Sequence, residues 1–312
     1  MNMIRLITEL CSCAALVFAI AAWRQLNSPI SRREKARRKK AAVCAVLLFG
    51  TFIAFAETPA LSTDVGLAFV SKFMSYGLVD NKDPVVTPST RMTFYDILVF
   101  DVSAIFDTTT YGREAGYSNR SGRYVEFDPS VSLAHAFAPE DCGFLPTMVE
   151  LSLGYAYEYH PRTMGGGTGE PGDDTQFITF EIALPDLWTE PKFVFERDID
   201  RDNGTYVNLE LGHSFELIDS FALRPSVAQG LGNTSRIRGY GLAEDHGGLM
   251  DACVMLELIW NLGGGTVISV YGAYYDYIFD STLRDGARAY EATGRDNTSY
   301  HFVGGMSVCA SF

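Results

Sequence analysis

A chain of 312 residues that is 47% apolar and only 20% charged has the means to bury apolar surface, which excludes a disordered chain. Its net charge of −13 is unevenly divided: residues 1–56 hold nine Lys/Arg against two acids, leaving 16 basic and 36 acidic residues after them. So acidic a body excludes nucleic-acid binding, which neutralises phosphates with Lys and Arg, and fits an acidic lumen or a surface that attracts cations.

The first 56 residues read as a leader. A basic block at residues 31–40 precedes an apolar run at residues 41–56, and Ala54 and Ala56 flank Phe55 before Glu57-Thr58-Pro59. This is the order of a secretory signal peptide, with cleavage expected after Ala56. The apolar run of about sixteen residues is short for a spanning helix, which needs roughly 20. An earlier apolar run, Leu10–Trp23, admits three readings: part of a long leader, a translated stretch upstream of the true start, or half of a retained helical anchor. Removal of everything through Ala56 is the expectation, and residues 57–312 form the body.

The body alternates with a period of two, the signature of half-buried strands. The first strand is expected over Leu61–Gly77, with Val65, Leu67 and Phe69 on one face. Pro84–Tyr95 and Leu98–Asp107 follow, joined by a tight break near Asp96. Arg123–Phe137 sets Val125, Phe127, Val131 and Leu133 against Glu126, Asp128, Ser130 and Ser132. Thr147–Tyr159 is the cleanest, with Val149, Leu151, Leu153, Tyr155, Tyr157 and Tyr159 in one unbroken row. Thr175–Leu184, Lys192–Asp198, Thr205–Phe215, Ser220–Gln229, Met250–Trp260 and Thr266–Phe279 continue the pattern, and Asn203-Gly204 is a strong hairpin signal. The twelfth strand, Tyr300–Phe312, ends the chain on an aromatic residue.

Connections alternate between short and long. Five short turns lie near Asp96, Phe137–Pro146, Pro185–Pro191, Ile218–Asp219 and Asn261–Gly265, and six longer or more polar loops separate the other strand pairs. Twelve antiparallel strands with both termini on the turn side require that count. The 256 residues after Ala56 allow about 21 per strand with its connection, enough for the roughly 9–11 that cross a bilayer. Polar faces carry Glu, Asp, Ser, Thr, Gly and Ala, which suits a wet, narrow interior rather than the charged outside of a soluble sandwich. Trp188 and Trp260 fall toward the short turns and Tyr155, Tyr157 and Tyr159 toward the long loops, as two interfacial girdles would place them. The expected fold is a closed antiparallel transmembrane β-barrel of about twelve strands, preceded by a helical signal or leader segment, with the last strand paired to the first.

Signal peptide, alternating strands, alternating loop lengths and terminal Phe312 together resemble a Gram-negative outer-membrane β-barrel. The stretch VGLAFVSKFMSYGLVDNKDPVVTPST, residues 65–90, is similar to the first hairpin of TorF-like porins. The resemblance implies a pore role for small solutes or ions, an outer-membrane location with both termini periplasmic, lipid and the barrel-assembly machinery as partners, and Phe312 as an assembly signal. It transfers no lumen residue.

Candidate lumen residues come from the polar faces: Arg91, Asp101, Glu150, Glu181, Glu210, Arg224 and Glu257. They would line a pore and bias it toward cations, or pair with one another and water to fill a narrow interior; twelve strands allow both. Asp198, Asp200 and Asp202 resemble the start of an EF-hand loop, but Gly falls at the seventh place and Leu209 stands where the twelfth-place Glu belongs, so a hairpin tip with surface carboxylates is expected instead. Cys142, Cys253 and Cys309 show no metal-pair or disulfide spacing. His135, His160, His213, His246 and His301 form no His-x-x-acid cluster and no G-x-S-x-G is present, so neither enzyme activity, cofactor nor metal is expected. His213 falls on the lipid-facing register of its strand. Two functions stand: a passive, cation-biased porin, and a non-conducting barrel with a structural or surface-binding role.

Overall fold

The computed structural model describes residues 61–81, 83–108, 123–140, 145–159, 174–291 and 298–312. The expected leader and cleavage site, Cys142 and most of two long loops lie outside the described residues.

Fifteen strands are seen among them: β1 (Leu61–Val70), β2 (Phe73–Ser75), β3 (Leu78–Asn81), β4 (Val85–Phe94), β5 (Leu98–Asp107), β6 (Arg123–Phe137), β7 (Val149–Glu158), β8 (Thr175–Ala183), β9 (Lys192–Asp198), β10 (Thr205–Gly212), β11 (Phe215–Ile218), β12 (Phe221–Gly232), β13 (Gly248–Gly263), β14 (Thr266–Asp276) and β15 (Tyr300–Ser311). Two helices join them, α1 (Thr234–Gly239) and α2 (Ser281–Glu291). None of the described helices is long and apolar enough to cross a membrane.

One sheet runs β10-β9-β8-β7-β6-β5-β4-β1-β15-β14-β13-β12-β11, and β10 also pairs with β12, so the sheet closes on itself. β10 and β11 are one wall strand interrupted at His213 and Ser214: both pair with β12, in the same antiparallel sense. The barrel therefore has twelve strand positions. Closure joins the first strand to the last as expected, β1 lying antiparallel to β15 from Asp64↔Ser311 to Val70↔Gly305. Backbone bonds between Thr63 and Phe312 extend that ladder to the last residue. No open sheet edge is left in this ring, the condition for strands in hydrocarbon.

The two faces of the wall differ as the alternation requires. Leu67, Phe69, Leu153, Ile178, Leu209, Val254, Leu256 and Met306 are exposed on the outside, with Leu133 at 57% and Phe302 at 69%. A contiguous apolar surface on that scale is stable only against lipid. Trp188 lies in the turn after β8, and Trp260 stacks on Phe221 at 5.2 Å near the turn that follows β13. At the opposite end Tyr155 and Tyr157 donate to Gln176 and Asp174. Both girdles are where the sequence places them.

Turn chemistry sets the short connections. Tyr95 and Asp96 carry φ of 53° and 57°, and Ile97 N donates to Phe94 O, a type I′ geometry that twists with the strands. Gly263 at the end of β13 and Gly264 and Gly265 after it all have positive φ, where a Cβ would be strained.

Three features depart from the periodicity. The first strand stops at Val70 rather than running to Gly77; residues 73–81 form a separate hairpin, β2–β3. The long loops after β12 and β14 contain α1 and α2. The third is the break at His213 and Ser214, which leaves His213 in phase with the outward row: His213 N bonds to Pro225 O, Phe215 still pairs with Leu223, and the His213 ring stacks on Trp188 at 4.9 Å with Nδ1 3.8 Å from Glu190.

Candidate functional site

The interior has two parts, a packed mouth at the long-loop end and a wetter lumen against one arc of the wall. The mouth is built on the β2–β3 hairpin. Tyr76 and Gly77 take φ of 49° and 79°, so the chain reverses in two residues and turns inward over the lumen. Gly77 is obligatory, since a Cβ there would fall 2.4 Å from Asp251 Cβ. The Tyr76 hydroxyl donates to Glu196 on β9 at 2.9 Å, its ring meets Tyr206 on β10 edge-on at 4.6 Å, and Tyr277 donates to its carbonyl at 2.5 Å. Behind this turn Leu78, Ile237 of α1, Leu242, Met250, and Leu283 and Ala287 of α2 pack into one apolar cluster with Tyr206 and Tyr277. Each such aliphatic side chain contributes about 1.5–3 kcal/mol by leaving water.

A buried charge sits in that cluster. Arg236, 1% exposed, lies 3.5 Å from Asp202 and over the rings of Tyr76, Phe177 and Tyr240 at 5.1, 5.2 and 5.7 Å from their centroids. Its Nε and Nη2 meet these rings and find no hydrogen-bond acceptor. Burial works against its charge, but Tyr76, Tyr240, Asp202 and Asp198 outweigh it and hold its pKa above the ordinary arginine value. Burial, reinforced by Glu196, pushes the Tyr76 phenol well up, so it stays a neutral donor. Burial also raises Asp202, against the pull of Arg236.

The Asp198, Asp200, Asp202 run is part of the same mouth. Asp198 is fully buried; its Oδ2 accepts from Thr175 at 2.7 Å and its Oδ1 from the backbone N–H groups of Asp200 and Arg201 at 2.9 and 2.8 Å. Asp202 accepts from Gly204 N and pairs with Arg236. The hairpin tip is thus tied down by its own carboxylates, two of them turned inward rather than to the surface as expected. Among the described residues no group of three or more His, Cys, Asp or Glu is placed to hold a metal.

α2 is fastened by a local device. Asp280 Oδ1 accepts from Thr282 N and Leu283 N at 3.0 and 3.1 Å, capping the helix, while Oδ2 lies 2.6 Å from His246 Nε2. Burial alone would raise the Asp280 pKa, but His246 and the two backbone donors hold it below the ordinary value.

In the wall, cross-strand register puts all seven candidate residues on the inner face. Arg91 stands opposite Asp101, with Nε 3.8 Å from Oδ1. Glu181 pairs with Lys192 at 2.9 Å. Glu210 pairs with Arg224 at 2.9 Å, and Arg224 also lies 3.4 Å from Glu190 in the β8–β9 turn. Glu257 is opposite Arg224 on one side and Tyr271 on the other. Glu150 stands between Ala136 and Ala183, small neighbours that leave it open to water. Phe312, by contrast, is exposed on the outside at the turn-side rim.

The structure brings only two of the seven, Arg91 and Asp101, to a cavity of about 660 Å³ against β1, β4, β5, β6 and β15. Its other walls include Asp64, Ser89, Ser103, Asp128, Cys309 and Ser311. Ser103 donates to Asp128 at 3.2 Å. Asp64 and Asp128 were readable from alternation, being one residue out of phase with the outward rows Val65–Phe69 and Phe127–Leu133. The gathering of the mouth around Tyr76 and Arg236 had no such signal.

No family model matches the sequence, and no curated protein matches it. Among solved structures it is similar to the KdgM porin in complex with disordered oligogalacturonate, at 7% identity and a TM-score of 0.43 over 80% of this chain and 99% of that one. It is similar to an outer-membrane channel of Pseudomonas putida F1, at 8% identity and 0.44 over 82% and 97%, and to Pseudomonas aeruginosa OccK5, at 11% and 0.37 over 82% and 68%. What this chain's own geometry shows, a closed ring of twelve antiparallel positions with an apolar outer band, aromatic ends and an acid-rich interior, is a transmembrane β-barrel.

Proposed function

We propose that this barrel is a passive channel for small solutes and ions across the outer membrane, with a preference for cations, and that it has no catalytic role. The observation that carries the reading is the lumen cavity: Asp64, Asp101 and Asp128 face it with Arg91 as the one basic side chain in its lining. Carboxylates facing water in a low-dielectric tube raise the local cation concentration and exclude anions. In this reading both termini lie on the periplasmic side, where the short turns are, and the assembly machinery recognises the β15 strand ending in Phe312.

A non-conducting barrel is the second reading, and the packed mouth favours it. One experiment separates the two. The purified, folded protein in a planar bilayer under a salt gradient should show discrete conductance steps with a reversal potential of the cation-selective sign. Selectivity should weaken at high salt, where charge is screened over about 3 Å at 1 M. A folded protein that never conducts overturns the channel reading and leaves the structural one.

A further inference from the structure

The geometry points to an off-centre route through the barrel, confined to the arc β15, β1, β4, β5 and β6, with Asp64 and Asp101 as its selectivity residues and Arg91 as their counter-charge. This rests on the channel reading above and says where in the lumen that channel runs. Two independent observations carry it. The first is the unequal filling of the interior. On the arc from β10 to β14, and along the loop-side half of β15, inward side chains are packed shut: Tyr206, Ser226, Ser269, Ala273, His301 and Val303 are all buried. Tyr271 lies so flat against β15 that a Cβ on Gly305 would sit 2.4 Å from its ring, and the Arg224 guanidinium covers Gly212 in the same way at 2.9 Å. The β2–β3 hairpin docks on this side too, through Glu196, Tyr206 and Tyr277.

The second observation is the contrast across the lumen. Around the cavity the inward groups of β1, β4, β5 and β6 are open to water, with Ser89 and Arg91 exposed and Asp64, Asp101, Ser103 and Asp128 half-buried, while Val85, Val99, Ile105 and Glu126 on the same strands are buried away from it. Serine hydroxyls between the carboxylates give a partly dehydrated cation oxygen ligands without fixing it. Glu210 is locked to Arg224, and Glu257 stands across from that same arginine, so both belong to the filled arc. The inward acids thus divide into two classes that alternation cannot separate: those that meet the permeating ion, and those that hold the packed side together.

Two native thiols test the route. Cys309 lines the cavity, whereas Cys253 faces inward on the filled arc between Ala228 and Tyr275. In full-length protein with the other cysteines replaced by serine, a positively charged methanethiosulfonate should cut the current through the Cys309 form and spare the Cys253 form. Charge variants give a second readout. Asp64→Asn and Asp101→Asn should each lower the cation-to-anion permeability ratio by about tenfold, because one charge about 6 Å away in water favours a cation and disfavours an anion by about threefold each. Arg91→Gln should raise that ratio by a similar factor, and Glu257→Gln should leave it unchanged. If the wild type conducts but Cys253 is blocked as fast as Cys309, or Glu257→Gln moves selectivity as much as Asp101→Asn, the off-centre route is wrong while the channel stands. If the wild type does not conduct, the channel reading itself falls and takes the route with it.

Discussion

Arg236 shows how one residue can organise a site that strand alternation does not reveal. It is held by three aromatic faces and one carboxylate, an arrangement that a planar guanidinium can satisfy and a lysine ammonium cannot. Removing a partner from a buried ion pair costs more than the pair contributes, because the other charge is left in a poor solvent. Arg236→Gln should therefore lower the local opening free energy of α1 by about 3 kcal/mol, the lower end for a broken buried pair. Hydrogen exchange of the Ile237 and Tyr240 amides in detergent would read this directly, since Ile237 N and Tyr240 N are bonded to Asn233 O and Arg236 O. Unchanged protection would mean the rings alone hold the helix. The position was invisible in the sequence for a physical reason. A loop arginine is ordinarily a solvated charge, and only the arrival of Tyr76, 160 positions earlier, turns it into a buried one.

At the scale of elements, what was legible and what was not divide along the period of the pattern. β5, β6 and β9 have the bounds expected from alternation, and the other wall strands differ mainly at their ends, because one lipid-facing and one wet face impose a strict period of two. The β2–β3 hairpin was hidden because Phe73 and Met74 prolong the apolar character of β1 past Ser71-Lys72. α1 and α2 were hidden because six and eleven residues give little periodicity, so their stability comes from caps and docking rather than propensity. Asn233 caps α1 through Arg236 N, and Asp280 caps α2. The Asp280 cap sets a pH limit. Its folded pKa is depressed below the ordinary 3.8, so its contribution is complete above that value and is lost as pH falls through the lowered one. Protection of the α2 amides should then collapse in acid below the carboxylate range while the wall strands stay intact. Asp280→Asn, which keeps a capping oxygen but cannot titrate, should flatten that dependence.

For the whole molecule the question is what a packed mouth leaves of the proposed route. The wall is a closed ring of hydrogen-bonded pairs, and none of the ring pairings involves β2, β3, α1 or α2. The mouth is thus an insert whose packing adds to a scaffold that stands without it. Its attachment is one-sided, through Glu196, Tyr206, Asp251 and Tyr277, which leaves the cavity side of the lumen unfilled by it. Replacing residues 73–81 with a flexible Gly-Ser linker of the same length tests this division. The loss removes Tyr76 from Glu196, Leu78 from the apolar cluster and Gly77 from its seat against Asp251. The variant should keep the heat-resistant electrophoretic migration of a folded barrel, since the ring is untouched. Its single-channel conductance should rise severalfold, and cation selectivity should fall because the widened lumen holds ions farther from Asp64 and Asp101. A variant that folds and conducts like the wild type would show that the hairpin does not narrow the route. One that fails to assemble would show that the mouth is part of the scaffold after all.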